Sequence, residues 1–419
     1  MSRRLVRVAL GLLLIIALLG RSVMEPGDRV ERVRAYTRDI EFDFIAWTLD
    51  ALGLKLRQLG LGVGDYLIDE QSKQVVLDYL DLVEQIQSLE NQINQIFADP
   101  NIRDPQSASE ELRADLELLH RQRQKLAPLA ESMMQNQVSV TAAELGLTFG
   151  GQPIPPVMYH ITPLPVALIV SPKDVIEQIA NISLQPNLTL EERVSLEERV
   201  DRNLDVSSLV VNIGGVGLYP TMVMQTSNLN WLAEVVSHEW THNFLSLRPL
   251  GVSYYGSPEL RTMNETAASI AGVEIGRAVI ARFYPESLPP LPEPLPEEPE
   301  QPTATQEPPA FDFRAEMRET RVTVDVMLAE GEIEQAEAYM EARRQVFWDN
   351  GYLIRKLNQA YFAFHGAYAD QPGGAAGEDP VGAAVRALRA QSSSLADFLN
   401  RISWIWSFEQ LQEAVDRGS

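Results

Sequence analysis

Two histidines four residues apart, in the run His238-Glu239-Trp240-Thr241-His242, constrain this chain more than any other feature. Residues i and i+4 share one face of an α-helix, so the two imidazoles can meet at one metal ion if the run is helical. The flanks agree. Ser227 or Asn228 can cap such a helix, and Leu232, Val235, Val236 and Phe244 recur at helical spacing. Glu239 then points beside the pair, placed to take a proton from water activated by the metal. With only five histidines in the chain, this spacing outweighs the alternative of two unrelated histidines on a buried helix.

Catalytic zinc uses three protein ligands and keeps one position open. The third ligand expected here is Glu265, in Met263-Asn264-Glu265-Thr266-Ala267-Ala268-Ser269, where a second apolar helix is predicted to start and run to about Phe283. Pro249, Gly251, Gly256 and Pro258 lie between the two and can reverse the chain, setting the helices side by side. Glu259 and Glu274 are weaker alternatives. A carboxylate at a helix N-terminus also has a purely structural explanation in the macrodipole.

This pattern resembles the gluzincin peptidases, which carry HExxH and a glutamate on a following helix. The resemblance implies zinc bound by His238, His242 and Glu265, Glu239 as general base, and hydrolysis of peptide bonds. Many gluzincins place an aspartate four residues after the third ligand to orient a histidine; here Ser269 stands there, and its hydroxyl can accept from an imidazole N–H. A further stretch, Leu357 to Tyr368, resembles the C-terminal block of a group of bacterial proteins read as aminopeptidases. The resemblance spans residues 205–283 and 340–412. The GxMEN-type motif of the large aminopeptidases is absent, so exopeptidase and endopeptidase action both stay open.

The rest of the chain frames that site. A formal charge of −23, with no Lys/Arg cluster beyond the extreme N-terminus, argues against a nucleic-acid partner. The absence of cysteine excludes disulfides, a lipobox and thiolate ligands. Arg3, Arg4 and Arg7 followed by an apolar run from Val8 to Gly20 have the layout of a signal-anchor or signal peptide over residues 1–22. The expectation is a single-pass membrane protein with its catalytic part outside the cytoplasm, or a secreted one if the segment is cleaved.

Residues 25–137 read as a helical region. Tyr79, Leu82, Ile86, Leu89, Ile93 and Ile96 form one seam. Leu112, Leu116, Leu119, Arg123, Leu126, Ala130 and Met133 form a second. Together they predict an antiparallel, coiled-coil-like hairpin that is either a partner-binding surface or packing. His120 reads as a solvated helix residue.

Residues 138–283 are expected to form the zinc-binding α+β region. Strands are predicted at 166–170, 208–213 and 219–225, and helices begun by Ser171-Pro172-Lys173-Asp174 and by Thr189-Leu190-Glu191-Glu192. The last strand of this small sheet is a candidate for binding substrate backbone at an exposed edge. His160 reads as a packed strand residue.

Residues 284–310 are rich in Pro and Glu and read as a disordered or polyproline-II linker, with a motif for a proline-recognising domain as the alternative. Residues 311–419 read as helical, over 311–328, 333–349, 352–368 and from Pro380, and as completing the active site. Tyr361, His365 and Tyr368 share one helical face and are candidate donors to an oxyanion, as are Tyr254 and Tyr255. Trp404 and Trp406 read as core.

The fold class expected is therefore α+β and predominantly helical, with a small sheet before the HExxH helix, an N-terminal helical hairpin and a C-terminal helical part. The function expected is that of a zinc peptidase acting on peptide or protein substrates. The alternatives are a membrane-tethered scaffold with a non-hydrolytic zinc domain, and a zinc hydrolase of another amide or ester.

Overall fold

The structure, a computed structural model, describes residues 28–61, 69–98, 102–213, 215–216, 218–254, 256–290, 311–365 and 380–418. The N-terminal apolar run, Tyr255, Tyr368 and most of the proline-rich stretch lie outside the described residues. In chain order come helices α1 (Arg29–Arg34), α2 (Phe44–Leu61), α3 (Asp69–Ala98), α4 (Pro105–Ala108) and α5 (Glu110–Glu144). Strands β1 (Tyr159–Ile161), β2 (Val166–Pro172) and β3 (Ala180–Leu184) precede helix α6 (Leu190–Leu204), and β4 (Val206–Asn212), β5 (Gly215–Val216) and β6 (Thr221–Val223) follow it. Then come α7 (Leu229–Ser246), α8 (Pro249–Val252), α9 (Pro258–Phe283), α10 (Phe313–Ala329), α11 (Ile333–Asp349) and α12 (Gln359–His365). Helices α13 (Pro380–Ala390), α14 (Leu395–Ile402) and α15 (Phe408–Asp416) close the chain. The fold is α+β and predominantly helical. No helix among the described residues is long and apolar enough to cross a membrane.

These elements gather into two compact units, neither contiguous in sequence. The first holds α1, β2–β4, α6 and α10–α12. Its sheet is antiparallel in the order β3-β2-β4. Helix α6 starts with the predicted capping box, in which Thr189 and Glu192 each bond the other's backbone. Leu196 and Val200 of that helix pack on Leu168, Val170 and Ile182 of the sheet. The opposite sheet face meets α12, and Asn358 Nδ2 donates to the Ser208 carbonyl at 2.9 Å. Cover on both faces explains why β2 and β4 are buried at nearly every position instead of at alternating ones, Ser207 and Ser208 of β4 included.

Two sequence expectations fail in this unit. No helix begins at Ser171: β2 runs through Pro172 and the chain returns as β3. The Ser171 hydroxyl, which looked like a cap, donates to the Val175 carbonyl and accepts from the Glu177 amide, closing the turn between the strands. Residues 352–358 are not helical either. Asn358 Oδ1 accepts from the Tyr361 amide at 2.9 Å, and the α12 helix starts only there.

The second unit holds α2–α5, β1, β5, β6, α7–α9 and α13–α15. Its hairpin α3/α5 is antiparallel: His120 lies near Glu90 toward the tip, while Tyr79, Val83 and Ile86 join Ala130, Met133 and Met134 in the core toward the base. Helix α5 runs on to Glu144, past residue 137. Lys55 on α2 and His160 on β1 both bond the buried Glu131 of α5, at 2.5 and 2.9 Å, pinning strand and helices together.

A small sheet in the order β1-β6-β5 precedes α7. Strand β6 pairs with β1 on one side and β5 on the other, so the last strand is central and offers no open edge to a substrate. Helices α13 and α14 pack on α9, and Arg389 grips Glu274 through two hydrogen bonds of 2.7 and 2.8 Å. Leu395, Phe398, Leu399 and Ile402 supply the apolar contact from α14. Trp404 and Trp406, expected in the core, are 68% and 61% exposed. Apolar character alone did not distinguish burial from surface at these positions.

Candidate metal centre

Helix α7 carries the histidine pair and starts where expected, with Asn228 Oδ1 accepting from the Trp231 amide at 3.0 Å. Helix α9 starts five residues before the predicted Met263, at Pro258, with Ser257 as its cap. Glu265 therefore sits two turns inside the helix, beyond the first-turn reach of the macrodipole, and that structural explanation of its position lapses.

What brings α9 against α7 is a pair of glycines. A Cβ on Gly272 would lie 2.9 Å from the His238 Cβ, and one on Gly276 would lie 2.8 Å from the Glu234 Cα. Ala268 extends the same edge at i+4 spacing. With no side chains in the way, the helices approach closely and run antiparallel, so residues near 264 face residue 242 while those near 274 face residue 234. Glu265 is delivered to the histidine pair by this register.

The three side chains converge. His238 Nε2 and His242 Nε2 lie 3.0 Å apart. Glu265 Oε2 is 3.6 Å from the first and 3.5 Å from the second. A tetrahedral zinc with ligand bonds near 2.0–2.1 Å separates its ligand atoms by about 3.3 Å, so the residues present fit that ion. Their side chains keep 14–38% of their exposure, which leaves one side open to solvent. No other such trio of His, Cys, Asp or Glu occurs among the described residues.

Of the alternative ligands, Glu259 is exposed near the start of α9 and Glu274 is held by Arg389, so neither joins the cluster.

The surrounding polar groups set orientation and charge. His242 Nδ1 donates to the Oδ1 of the fully buried Asn264 at 2.7 Å, which fixes the tautomer and leaves Nε2 free to ligate. Ser269, expected in an orienting role, is exposed. The Tyr254 hydroxyl donates to Glu265 Oε1 at 2.5 Å, while Oε2 faces the imidazoles. Burial opposes charging of His242, but the Glu265 carboxylate, with smaller help from Glu239 and Asn264, lifts its pKa to about 9. Burial works against the Glu265 charge as well, yet the two imidazoles hold its carboxyl well below the usual range. Glu239 is buried, and that burial raises its pKa against the pull of both histidines.

Two residues that place this site were not read from sequence. Asn264 is one; its neighbour Glu265 drew the attention, and an asparagine has no spacing signature of its own. Asn243 is the other: its Nδ2 donates to the Leu218 carbonyl and the Thr221 Oγ1, both at 3.0 Å, tying α7 to the β6 region.

Tyr361 and His365 belong to the first unit, on α12. Their rings lie 4.6 Å apart, the buried Tyr361 hydroxyl has no hydrogen-bond partner among the described residues, and burial pushes the His365 pKa down to about 4. Compared with known protein families, with curated proteins and with solved structures, the chain matches none.

Proposed function

We propose that the chain is a zinc-dependent peptidase, on the single observation that His238 Nε2, His242 Nε2 and Glu265 Oε2 converge from two helices with separations suited to one tetrahedral ion. His238, His242 and Glu265 would hold the metal. Bound zinc supplies a Lewis acid that polarises a carbonyl and eases deprotonation of water. Glu239, buried and held above the usual carboxylate range, takes the proton from water and passes it to the leaving amine. Asn264 keeps the His242 ring turned toward the metal. Tyr254 is the hydroxyl in the same unit that touches a ligand, so it is the favoured donor to the developing oxyanion. The donor roles of Tyr361, His365 and Tyr368 rest on sequence alone.

A peptide substrate, an extracytoplasmic site and a membrane tether through the N-terminal run belong to this reading through the gluzincin resemblance and the layout of residues 1–22. The test is hydrolysis of a mixed peptide library by the full chain, with and without chelator, read by mass spectrometry. Cleavage that chelator abolishes and zinc restores supports the reading. Zinc binding without cleavage of any peptide returns the chain to the non-hydrolytic or non-peptide alternatives.

A further inference from the structure

Helix α7 has a second worked face. Opposite the histidine pair, Trp240, Phe244 and Arg248 succeed one another at i, i+4 and i+8. The Arg248 guanidinium lies 3.5 Å from the centre of the Phe244 ring and donates to the Phe244 carbonyl. Beyond them opens a groove of about 360 Å³ lined by Phe149, Ile154, Leu247, Arg248, Asn400 and Trp404. Its walls are unusually exposed for such large apolar groups: Phe149 is 79%, Leu247 63% and Trp404 68% exposed. Among the described residues, Arg248 makes no ion pair with a carboxylate. An aromatic-lined slot with one unpaired cation at its edge is the kind of surface that accepts a polyproline-II segment bearing negative charge.

The chain carries such a segment. Pro296, Pro299 and Pro302 recur every third residue, and Glu297, Glu298 and Glu300 fill positions between them. Polyproline II has three residues per turn, so in that form the three prolines would share one edge and the glutamates would face away from it. No Lys or Arg occurs from 289 to 310. The segment also leaves from a suitable place. Asn230 Nδ2 donates to the Ser287 carbonyl, which holds residue 287 by the start of α7, and the groove lies at the end of that helix. At 1.5 Å per residue those points are about 25 Å apart. At 3.1 Å per residue from Pro290, a polyproline-II chain running along the helix would carry Pro296 about 19 Å and Pro302 about 37 Å, a span that brackets the groove.

We propose that the groove between Phe149, Leu247, Arg248 and Trp404 binds the chain's own Pro296–Pro302 segment, with Trp404 and Phe149 taking the proline edge and Arg248 pairing with a glutamate. The experiment uses the full chain with residues 291–309 replaced by Gly and Ser of equal length, titrated against a fluorescent peptide of residues 293–305. The peptide should bind saturably and should bind the intact chain more weakly, because the native segment competes.

Trp404→Ala, a surface change, should weaken binding at least about tenfold, the loss expected of an aromatic anchor. Arg248→Gln should weaken it less and flatten its salt dependence, and Pro299→Ala in the peptide should weaken it as well. Leu247→Lys gives a second disruption of the wall if circular dichroism shows Trp404→Ala misfolded. Absence of binding, equal affinity for the intact and replaced chains, or indifference to both wall variants would overturn the proposal. So would a dimer of the replaced chain that Trp404→Ala dissolves, since the groove would then serve a second copy.

Discussion

The α7/α9 site and helix α12 each bury a histidine, and the two titrate in opposite directions. His242 is lifted to about 9 although burial opposes it, because the Glu265 carboxylate faces it. His365 falls to about 4 because burial opposes its charge, and among the described residues no carboxylate offsets it. Around His242 the ring nitrogens, Glu265 and Asn264 are all engaged, while on α12 the buried Tyr361 hydroxyl and Gln359 Oε1 have no partner among the described residues. A neighbouring carboxylate, more than depth, separates a histidine held charged from one held neutral.

The largest expected effect bears on the chemistry of the first site. Glu239→Gln keeps the shape of the side chain and removes the base, so kcat for peptide hydrolysis should fall at least about 100-fold while zinc content is unchanged. Unaltered turnover would move the base elsewhere. Asn264→Ala should come next, lowering zinc affinity by roughly 10–100-fold through the loss of the bond that orients His242. Titration with a competing chelator measures it, and Ser269→Ala should leave the affinity unmoved.

The close approach of the helices gives a smaller, structural effect. A methyl on Gly276 meets the α7 backbone, so Gly276→Ala should destabilise the second unit by about 1–3 kcal/mol in denaturant unfolding. A neutral outcome would mean that α9 can shift without cost.

The subtlest effect is the contrast in pH dependence. In metal-free protein His242 has its folded pKa raised, so its contribution to stability is full below about 6.5 and is lost as pH rises through about 9. His365 has its folded pKa depressed, so the unfolded chain binds the extra proton and stability is lost as pH falls from about 6.5 to about 4. Thermal unfolding of chelated protein should show both slopes, with His365→Phe removing only the acid one. Slopes of the same sign for both histidines would break the comparison.

How far the sequence disclosed this arrangement varies by element. The histidine pair and the hairpin seams were legible because a helical period fixes a face. Glu265 followed from position on the next helix, although that helix begins a turn and a half earlier than the apolar pattern indicates. Asn264 and Asn243 stayed hidden because a single amide acquires its role only from a partner distant in sequence. Gly272 and Gly276 set the helix spacing, yet glycine inside a helix reads locally as weakness. Ser171 misled because the same hydroxyl that caps a helix can close a turn. Trp404 and Trp406 misled because an aromatic can line a surface groove as readily as a core.

The central claim is that three side chains of α7 and α9 make one metal site, and metal content tests it most directly. The full chain, stripped with chelator, loaded with zinc and washed free of excess, should retain about one zinc per chain by elemental analysis. His238→Ala, His242→Ala and Glu265→Ala should each retain far less, while Glu259→Ala and Glu274→Ala retain it in full. Zinc held equally by wild type and by Glu265→Ala or either histidine variant would contradict the account.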